Sequence, residues 1–241
     1  MAVEKIEQNG STLLVRGGTV IDGTGAPRRR ADVRIEGDRI VAVSADGESF
    51  SAAGAQVVDA TGRIVAPGFI DVHTHDDQLL LSAPQMLPKI SQGVTTVVIG
   101  NCGISLAPLV HADAPPPLNL LGGPDKYVYP TMAAYVTALE KALPAVNVAA
   151  LVGHSTLRVA TMDDPYRPAT AAEQARMCEL LREGMAAGAT GLSSGVFYAP
   201  GAAADIDELA LLAGIAGEAG GVYTTHIRQE MDQVIAALDE A

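Results

Sequence analysis

The chain has 241 residues, of which 48% are hydrophobic and 18% charged, so it can bury a sizeable core. Its formal net charge of −12 argues against nucleic acid and anionic membrane surfaces as partners, because both are negatively charged. No apolar run reaches the roughly 18 residues that a membrane helix needs, residues 1–10 lack the apolar core of a signal peptide, and the two cysteines are too few for a disulfide framework, so we expect a cytoplasmic protein.

Short β-type runs separated by glycine turns fill the first part of the chain. The turns Asp22–Gly25, Glu36–Asp38 and Thr61–Gly62 consist of residues that favour tight turns. We therefore predict that residues 1–66 form a small antiparallel β domain. The predicted strands are Thr12–Arg16, Thr19–Asp22, Asp32–Glu36, Arg39–Ser44 and Val57–Ala60.

Residues 67–241 form the second predicted domain, in which apolar strands alternate with helices, the pattern of a parallel α/β sheet. Two helix starts are well marked, at Thr170 and Asp205, each with a glutamate three residues later. Long loops follow the strands over residues 104–130 and 155–169, and parallel α/β folds bind ligands at that end of the strands. The predicted strands are Gly68–Val72, Thr95–Asn101, Val146–Gly153, Ala189–Ser194 and Val222–His226.

Four side chains with zinc-type donor atoms lie at the carboxyl ends of these strands. Alternate residues of a strand face the same side, so His73 and His75 can reach one ion. Cys102 closes the second strand and His226 the fifth, and the ends of parallel strands meet on one face. Imidazole and thiolate suit Zn²⁺, and a catalytic zinc ion lowers the pKa of bound water to about 7. The pattern therefore predicts metal-dependent hydrolysis.

The remaining candidate residues are expected to have other roles. His154 ends the third strand and faces the predicted cleft, where we expect it to be structural or to shape the pocket. His111, in the proline-rich loop, is expected to be solvated, and Cys178, inside a helix, to be a core or helix-surface residue. Asp76 and Asp77 are expected to cap the following helix or to orient a metal ligand.

Several segments of the sequence resemble a known family. Residues 67–75 look like the first barrel strand of the amidohydrolase superfamily, preceded by that superfamily's small β domain. More narrowly, five segments that run in order through nearly the whole chain resemble the D-aminoacylase (N-acyl-D-amino-acid deacylase) family. The resemblance is specific, because a cysteine ligand is unusual among amidohydrolases. The five segments are His73–Asp77, Lys89–Thr96, Gly100–Ser105, Gly191–Gly195 and Thr225–Arg228.

The resemblance implies a zinc-dependent (β/α)8 barrel that hydrolyses the amide bond of N-acyl-D-amino acids to a carboxylate and a D-amino acid. It also implies one tightly bound Zn²⁺ and a second, weaker site. Carried over to this sequence, His73 and His75 hold the weaker site, Cys102 lies between the two metal positions, and His226 binds the essential zinc. By the same resemblance, Tyr198 hydrogen-bonds the substrate carbonyl.

The predicted barrel is incomplete, because a TIM barrel has eight βα units and residues 67–241 contain five predicted strands. The family draws another zinc histidine from the sixth strand and a catalytic aspartate from the eighth. We therefore expect the chain to be the N-terminal half of a deacylase and to be inactive alone. An open half-barrel exposes strand edges, so we expect it to need its C-terminal half or to form a homo-oligomer.

Two other functions remain open. A cyclic amidase of the hydantoinase or dihydroorotase kind shares the β domain and the His-x-His strand, but those relatives usually bridge their metals with a lysine from strand four. Residues 188–195 contain no lysine, which favours the deacylase. The other alternative is a non-catalytic metal-binding or assembly module, which metal analysis of Cys102→Ala would distinguish.

Overall fold

The computed structural model describes residues 12–123 and 125–241. The described residues fall into two compact units that divide between Gly68 and Phe69. Residues 1–10, in which we expect no signal peptide, lie outside the described part. Among the described helices, none combines the length and the apolar character required to cross a membrane.

The first unit is a five-stranded sheet in the order β3-β2-β1-β4, with β5 also beside β1. Two predicted strands are one long strand, β1, whose register with β2 shifts between Val15 and Gly18 because Gly17 has a φ of +73°. The β1, β2 and β3 strands are antiparallel as predicted, whereas β4 and β5 run parallel to β1. The strands are β1 (Thr12–Val20), β2 (Arg29–Glu36), β3 (Arg39–Val43), β4 (Ala55–Asp59) and β5 (Ile64–Val65).

The buried carboxylate of Asp32 fixes the bulge in β1. It accepts hydrogen bonds from the backbone amides of Gly17, at 2.8 Å, and Phe50, at 2.9 Å. A buried charge is tolerated only when it is hydrogen-bonded or paired, and both oxygens of Asp32 are satisfied in this way. The small apolar core of this unit is made by Val20, Ala31 and Val33.

The second unit contains a curled parallel sheet of five strands, in the order β12-β11-β10-β7-β6, which confirms the predicted N-terminal part of a TIM barrel. Each of its strands overlaps a predicted strand. A separate two-stranded hairpin, β8 with β9, lies within the long loop after β7. The strands are β6 (Phe69–Asp71), β7 (Val94–Ile99), β8 (Leu109–Val110), β9 (Val128–Tyr129), β10 (Asn147–Gly153), β11 (Gly191–Gly195) and β12 (Val222–His226).

Helices connect the strands, and the two predicted helix starts are confirmed. Thr170 and Glu173 form a reciprocal capping box, and the Asp205 side chain caps the next helix by accepting from the Glu208 amide. The helices are α1 (Leu79–Ser82), α2 (Leu87–Ile90), α3 (Met132–Ala142), α4 (His154–Thr161), α5 (Ala171–Ala186), α6 (Ile206–Glu218) and α7 (Val234–Glu240), with 3-10 turns at Leu118–Leu121 and Gly201–Ala203.

The α4 helix corrects the expectation that residues 155–169 are irregular. It begins directly at the end of β10, with Gly153 at the N-cap and no side-chain cap, so its start has no sequence signal. The helices pack on the sheet through one large apolar cluster. Cys178 is 6% exposed within this cluster, so it is a core residue, the first of its two expected positions.

Candidate metal centre

The segment after β6 carries two imidazoles to the carboxyl end of the sheet. Thr74 lies between them and points to β7, where its amide and its hydroxyl both donate to the Val98 carbonyl, at 3.1 and 3.3 Å. His73 and His75 stand on either side of Thr74 in the chain, and their ring centroids are 5.7 Å apart. The strand-like pairing of Thr74 therefore leaves both imidazoles available to one position, as the spacing predicted.

Cys102 lies in a tight turn after β7 that brings its thiol to these imidazoles. Its φ is +54°, and glycines at positive φ stand at positions 100 and 103. The Cys102 Sγ is 3.1 Å from the His73 Nε2. His73, His75 and Cys102 each offer one ligand atom, and these three atoms all lie within 4.8 Å of one another. Three donor atoms of this kind in such proximity could hold one ion.

His226, the last residue of β12, approaches the same thiol. Its Nδ1 is 3.9 Å from the Cys102 Sγ, and its Nε2 is 3.0 Å from a carboxylate oxygen of Glu230. His226 is not part of the compact three-residue group. The structure thus gathers the three predicted histidine ligands around Cys102 but places His226 farther from the others.

Tyr198 follows β11 and packs on His226, with ring centroids 4.8 Å apart at an interplanar angle of 68°. Burial raises the pKa of Tyr198, and the nearby Cys102 and Glu230 raise it further. The phenol is therefore protonated at neutral pH and can donate a hydrogen bond. Tyr198 therefore stands beside His226, one of the four predicted ligands.

The protonation states around the cluster suit a metal. Burial lowers the pKa of His75, and the charge on His73 adds to that effect, so the neutral imidazole that binds metals is favoured. The Nδ1 atom of His75 is buried and has no hydrogen-bond partner among the described residues. Burial raises the pKa of the Cys102 thiol, which a bound cation would offset. Two imidazoles and a thiol are a donor set that fits zinc.

A lysine that the sequence analysis did not single out supports the histidine segment. Lys89 in α2 bridges Asp71 and Asp76, with its Nζ 2.8 and 2.9 Å from their carboxylate oxygens. Asp71 also accepts from the His73 amide at 3.4 Å. Lys89 thereby ties together the carboxylates on both sides of the histidine pair. Its only sequence signal is its place in one of the segments that resemble the family.

The expected capping roles of Asp76 and Asp77 are not observed. The N-cap of α1 is Gln78, without a side-chain hydrogen bond. Asp76 pairs with Lys89 instead. Asp77 is fully buried, which raises its pKa to about 7, and it accepts a 3.4 Å hydrogen bond from the Gly100 amide. Asp77 therefore lies under the turn that carries Cys102.

The other two histidines are outside the cluster. His154 is the first residue of α4 and is fully buried, with its Nε2 2.7 Å from Glu208. Arg158 makes two hydrogen bonds to the same carboxylate, at 2.5 and 2.7 Å. His154 is thus structural, which is one of the two roles expected for it. His111 is half-buried rather than fully solvated, and its Nδ1 accepts from the Asp113 amide at 3.1 Å.

Comparison with known proteins agrees with this geometry. The model of the amidohydrolase family matches residues 56–237. N-acyl-D-aspartate deacylase of Alcaligenes xylosoxydans xylosoxydans is 51% identical over 229 residues, which are 95% of this chain and 45% of that enzyme. The chain therefore spans about half the length of the curated relatives it matches.

Solved structures of relatives superpose on the same part of the chain. D-aminoacylase is 51% identical, with a TM-score of 0.89 over 95% of this chain and 48% of that one. N-acyl-D-glutamate deacylase from Bordetella bronchiseptica, solved with zinc and a phosphonate inhibitor, is 46% identical, with a TM-score of 0.88 over 96% of this chain and 48% of that one. The chain therefore belongs to the amidohydrolase family, and over its length it is similar to D-aminoacylase and the N-acyl-D-amino-acid deacylases.

Proposed function

We propose that this chain supplies the metal-binding part of a zinc-dependent hydrolase that cleaves N-acyl-D-amino acids to a carboxylate and a D-amino acid. The observation that carries the proposal is the compact group of His73, His75 and Cys102, in a chain 51% identical to N-acyl-D-aspartate deacylase. Zinc held there supplies Lewis-acid polarisation of the amide carbonyl and acidifies water at the site to a pKa near about 7.

Cys102 is proposed to serve two metal positions. Its Sγ is 3.1 Å from the His73 Nε2 and 3.9 Å from the His226 Nδ1, so it can share an ion with either side. We assign the tightly bound zinc to the side of His226 and the weaker site to the side of His73 and His75. The proximity of the His73, His75 and Cys102 donor atoms supports a metal position on the second side.

Tyr198 is proposed to bind the scissile carbonyl. Its protonated hydroxyl donates a hydrogen bond to the carbonyl oxygen, where negative charge develops during attack. The contact between the Tyr198 and His226 rings, at 4.8 Å, supports this role because it holds the phenol beside the metal ligands. Substitution by phenylalanine would keep that ring contact and remove only the hydrogen bond.

The isolated chain is proposed to be inactive, because carboxylates beside the proposed ligands are already in ion pairs. Asp71 and Asp76 are held by Lys89, and Glu230 lies 3.0 Å from His226. Amide hydrolysis needs a group that moves a proton to the leaving nitrogen. That group, with the partner surface, is proposed to come from a C-terminal half or from a second copy of this chain.

The edges of the parallel sheet support such an association. The β6 and β12 strands are its two edge strands, and their apolar residues Phe69, Ile70 and Val222 are all more than half exposed. Unpaired strand edges are sites where another polypeptide adds.

We further propose a cytoplasmic location, because both cysteines are free and a reducing compartment keeps Cys102 available as a ligand.

Two measurements test the proposal. Zinc content after dialysis should show at least one bound ion per chain. Deacylation of N-acetyl-D-aspartate, with N-acetyl-L-aspartate and hydantoin as controls, should be absent for the chain alone. It should appear when the chain is mixed with the C-terminal part of N-acyl-D-aspartate deacylase. A chain that binds no zinc, or that prefers the L-amide or hydantoin after complementation, would overturn the proposed function.

A further inference from the structure

The Cys102 turn has to cross the sheet to reach its neighbours. His73 follows β6 and His226 ends β12, and these are the two opposite edge strands of the sheet. Cys102 follows β7, next to β6, yet its thiol also approaches His226. The turn therefore extends from β7 past the end of β10 to the end of β11, whose last residue pairs with His226.

Glycines make this path possible. A Cβ atom on Gly153, at the end of β10, would lie 2.5 Å from the Gly103 carbonyl oxygen. A Cβ on Gly195, at the end of β11, would lie 2.1 Å from the Cys102 carbonyl oxygen. The backbone of the turn thus packs directly on the ends of two strands, and a side chain at either glycine would displace it.

One buried hydroxyl closes the turn. Ser193 in β11 is fully buried, and its Oγ accepts from the Gly103 amide at 3.0 Å and donates to the Gly100 carbonyl. Gly100 and Gly103 flank the segment that contains Cys102, whose φ of +54° is disfavoured for an L-residue. The Ser193 side chain therefore bonds both ends of the segment, whereas Asp77 holds only the Gly100 end, by accepting from its amide at 3.4 Å.

We propose that Ser193 is the positioning residue for Cys102. Its hydroxyl holds the turn in the left-handed conformation that sets the thiol between His73 and His226. The inference rests on the proposed metal centre only where it concerns metal affinity. The position of the Cys102 thiol is a property of the chain without metal, so the role of Ser193 and the metal centre can fail independently.

Ser194 is the matched control, because it is also fully buried in β11 and its hydroxyl also makes two hydrogen bonds. Its Oγ is 2.7 Å from the Tyr223 hydroxyl and 2.7 Å from the Thr225 hydroxyl, both on β12. Ser193→Ala and Ser194→Ala thus remove the same group from neighbouring positions. Of these two hydroxyl groups, only that of Ser193 bonds the Cys102 turn.

The experiment uses the 241-residue chain with Cys178→Ala, so that Cys102 is its single thiol. Co²⁺ replaces zinc as a probe, because a thiolate bound to cobalt gives a charge-transfer absorption band. Ser193→Ala should weaken Co²⁺ binding about tenfold and reduce the thiolate band at saturation, while Ser194→Ala leaves both within about twofold. Labelling of Cys102 by a disulfide reagent without metal should accelerate only in Ser193→Ala.

The outcomes distinguish the role of Ser193 from the existence of the metal centre. An unaltered chain that binds no Co²⁺ would count against the metal centre, and the labelling rates would still decide the role of Ser193. Equal cobalt bands and equal labelling rates in the two variants would overturn the inference. Should Ser193→Ala fail to fold, hydrogen exchange in the unaltered chain decides: a protected Gly103 amide supports the turn, and exchange at the rate of an exposed glycine overturns it.

Discussion

Two histidine clusters at the carboxyl end of the parallel sheet differ in their burial and in the pairing of their charges. His154, Arg158 and Glu208 are at most 2% exposed and neutralise one another, with Glu208 accepting from both partners. Burial alone would raise the pKa of Glu208, but the hydrogen bonds from His154 and Arg158 outweigh it and lower the pKa. His73 and Cys102, by contrast, are partly open to solvent, and their group includes no paired charge.

The difference distinguishes a polar cluster that holds the fold together from one that binds a ligand. In the first cluster, Arg158 also donates to the Pro165 and Arg167 carbonyls, so it ties α4 to the following loop and, through Glu208, to α6. In the second cluster, nitrogen and sulfur atoms of the metal-ligand type converge with no carboxylate or guanidinium group among them. The first cluster should therefore respond to mutation in stability, and the second in metal affinity.

The largest expected effect is on stability, from Glu208→Ala. Removing this carboxylate leaves Arg158 buried without its counter-charge, which should lower the free energy of unfolding by about 3–5 kcal/mol in urea denaturation. Glu179→Ala is the control, because Glu179 pairs with Arg176 at the surface, where both side chains are at least 60% exposed. That variant should change stability by less than about 1 kcal/mol. Similar losses in the two variants would contradict the contrast between the clusters.

Cys102→Ala should show the opposite pattern. It should lower zinc affinity at least about 100-fold in isothermal titration, because a ligand is lost. The free energy of unfolding without metal should change by less than about 1 kcal/mol, since Cys102 is only partly buried. Cys178→Ala, in the core, should leave zinc binding unchanged and cost stability instead. Unchanged zinc affinity in Cys102→Ala would remove that residue from the site.

Lys89→Met should have an intermediate effect on the metal cluster. Without the ammonium group, Asp71 and Asp76 repel each other and the segment between them shifts, so zinc affinity should fall about tenfold. Lys126→Met is the control, because in the described part of the chain Lys126 pairs with Asp125 alone, and Asp125 is 73% exposed. An increase in zinc affinity on Lys89→Met would mean that the freed carboxylates become ligands, contrary to the supporting role of Lys89.

The smallest effect concerns the surface end of the His154 cluster, where Arg167 pairs with Glu173 at 2.7 Å. Hydrogen bonds from Arg167 and Thr170 lower the pKa of Glu173 to about 2, below its ordinary value of 4.5. This contribution to stability is therefore complete above pH 4.5 and is lost as the pH falls through about 2. Glu173→Gln should be less stable than the unaltered chain at pH 6, and urea denaturation should show the difference vanishing near pH 2. A pH-independent difference would contradict this origin.

Much of this arrangement is readable from the sequence because it depends on local patterns. The alternation of strand residues identifies His73 and His75 as a pair, and capping residues mark α5 and α6. The order of strands with cysteine and histidine at their ends predicts that Cys102 and His226 meet. These signals act over a few residues, or follow from the general rule for parallel sheets.

Other features could not be predicted, because they depend on contacts between distant segments. Arg158 and Glu208 are 50 residues apart, and Ser193 bonds a turn that lies 90 residues before it. The α4 helix lacks a capping residue, so its start is set by the preceding strand. In β1, a bulge at Gly17 joins two predicted strands into one.

The most direct test is anomalous diffraction at the zinc edge from crystals of the chain grown with Zn²⁺. A peak about 2.3 Å from the Cys102 Sγ and about 2.0–2.1 Å from a nitrogen of His73, His75 or His226 would agree with the proposed centre. Zinc bound only elsewhere, with the Cys102 thiol turned away from the three imidazoles, would contradict it.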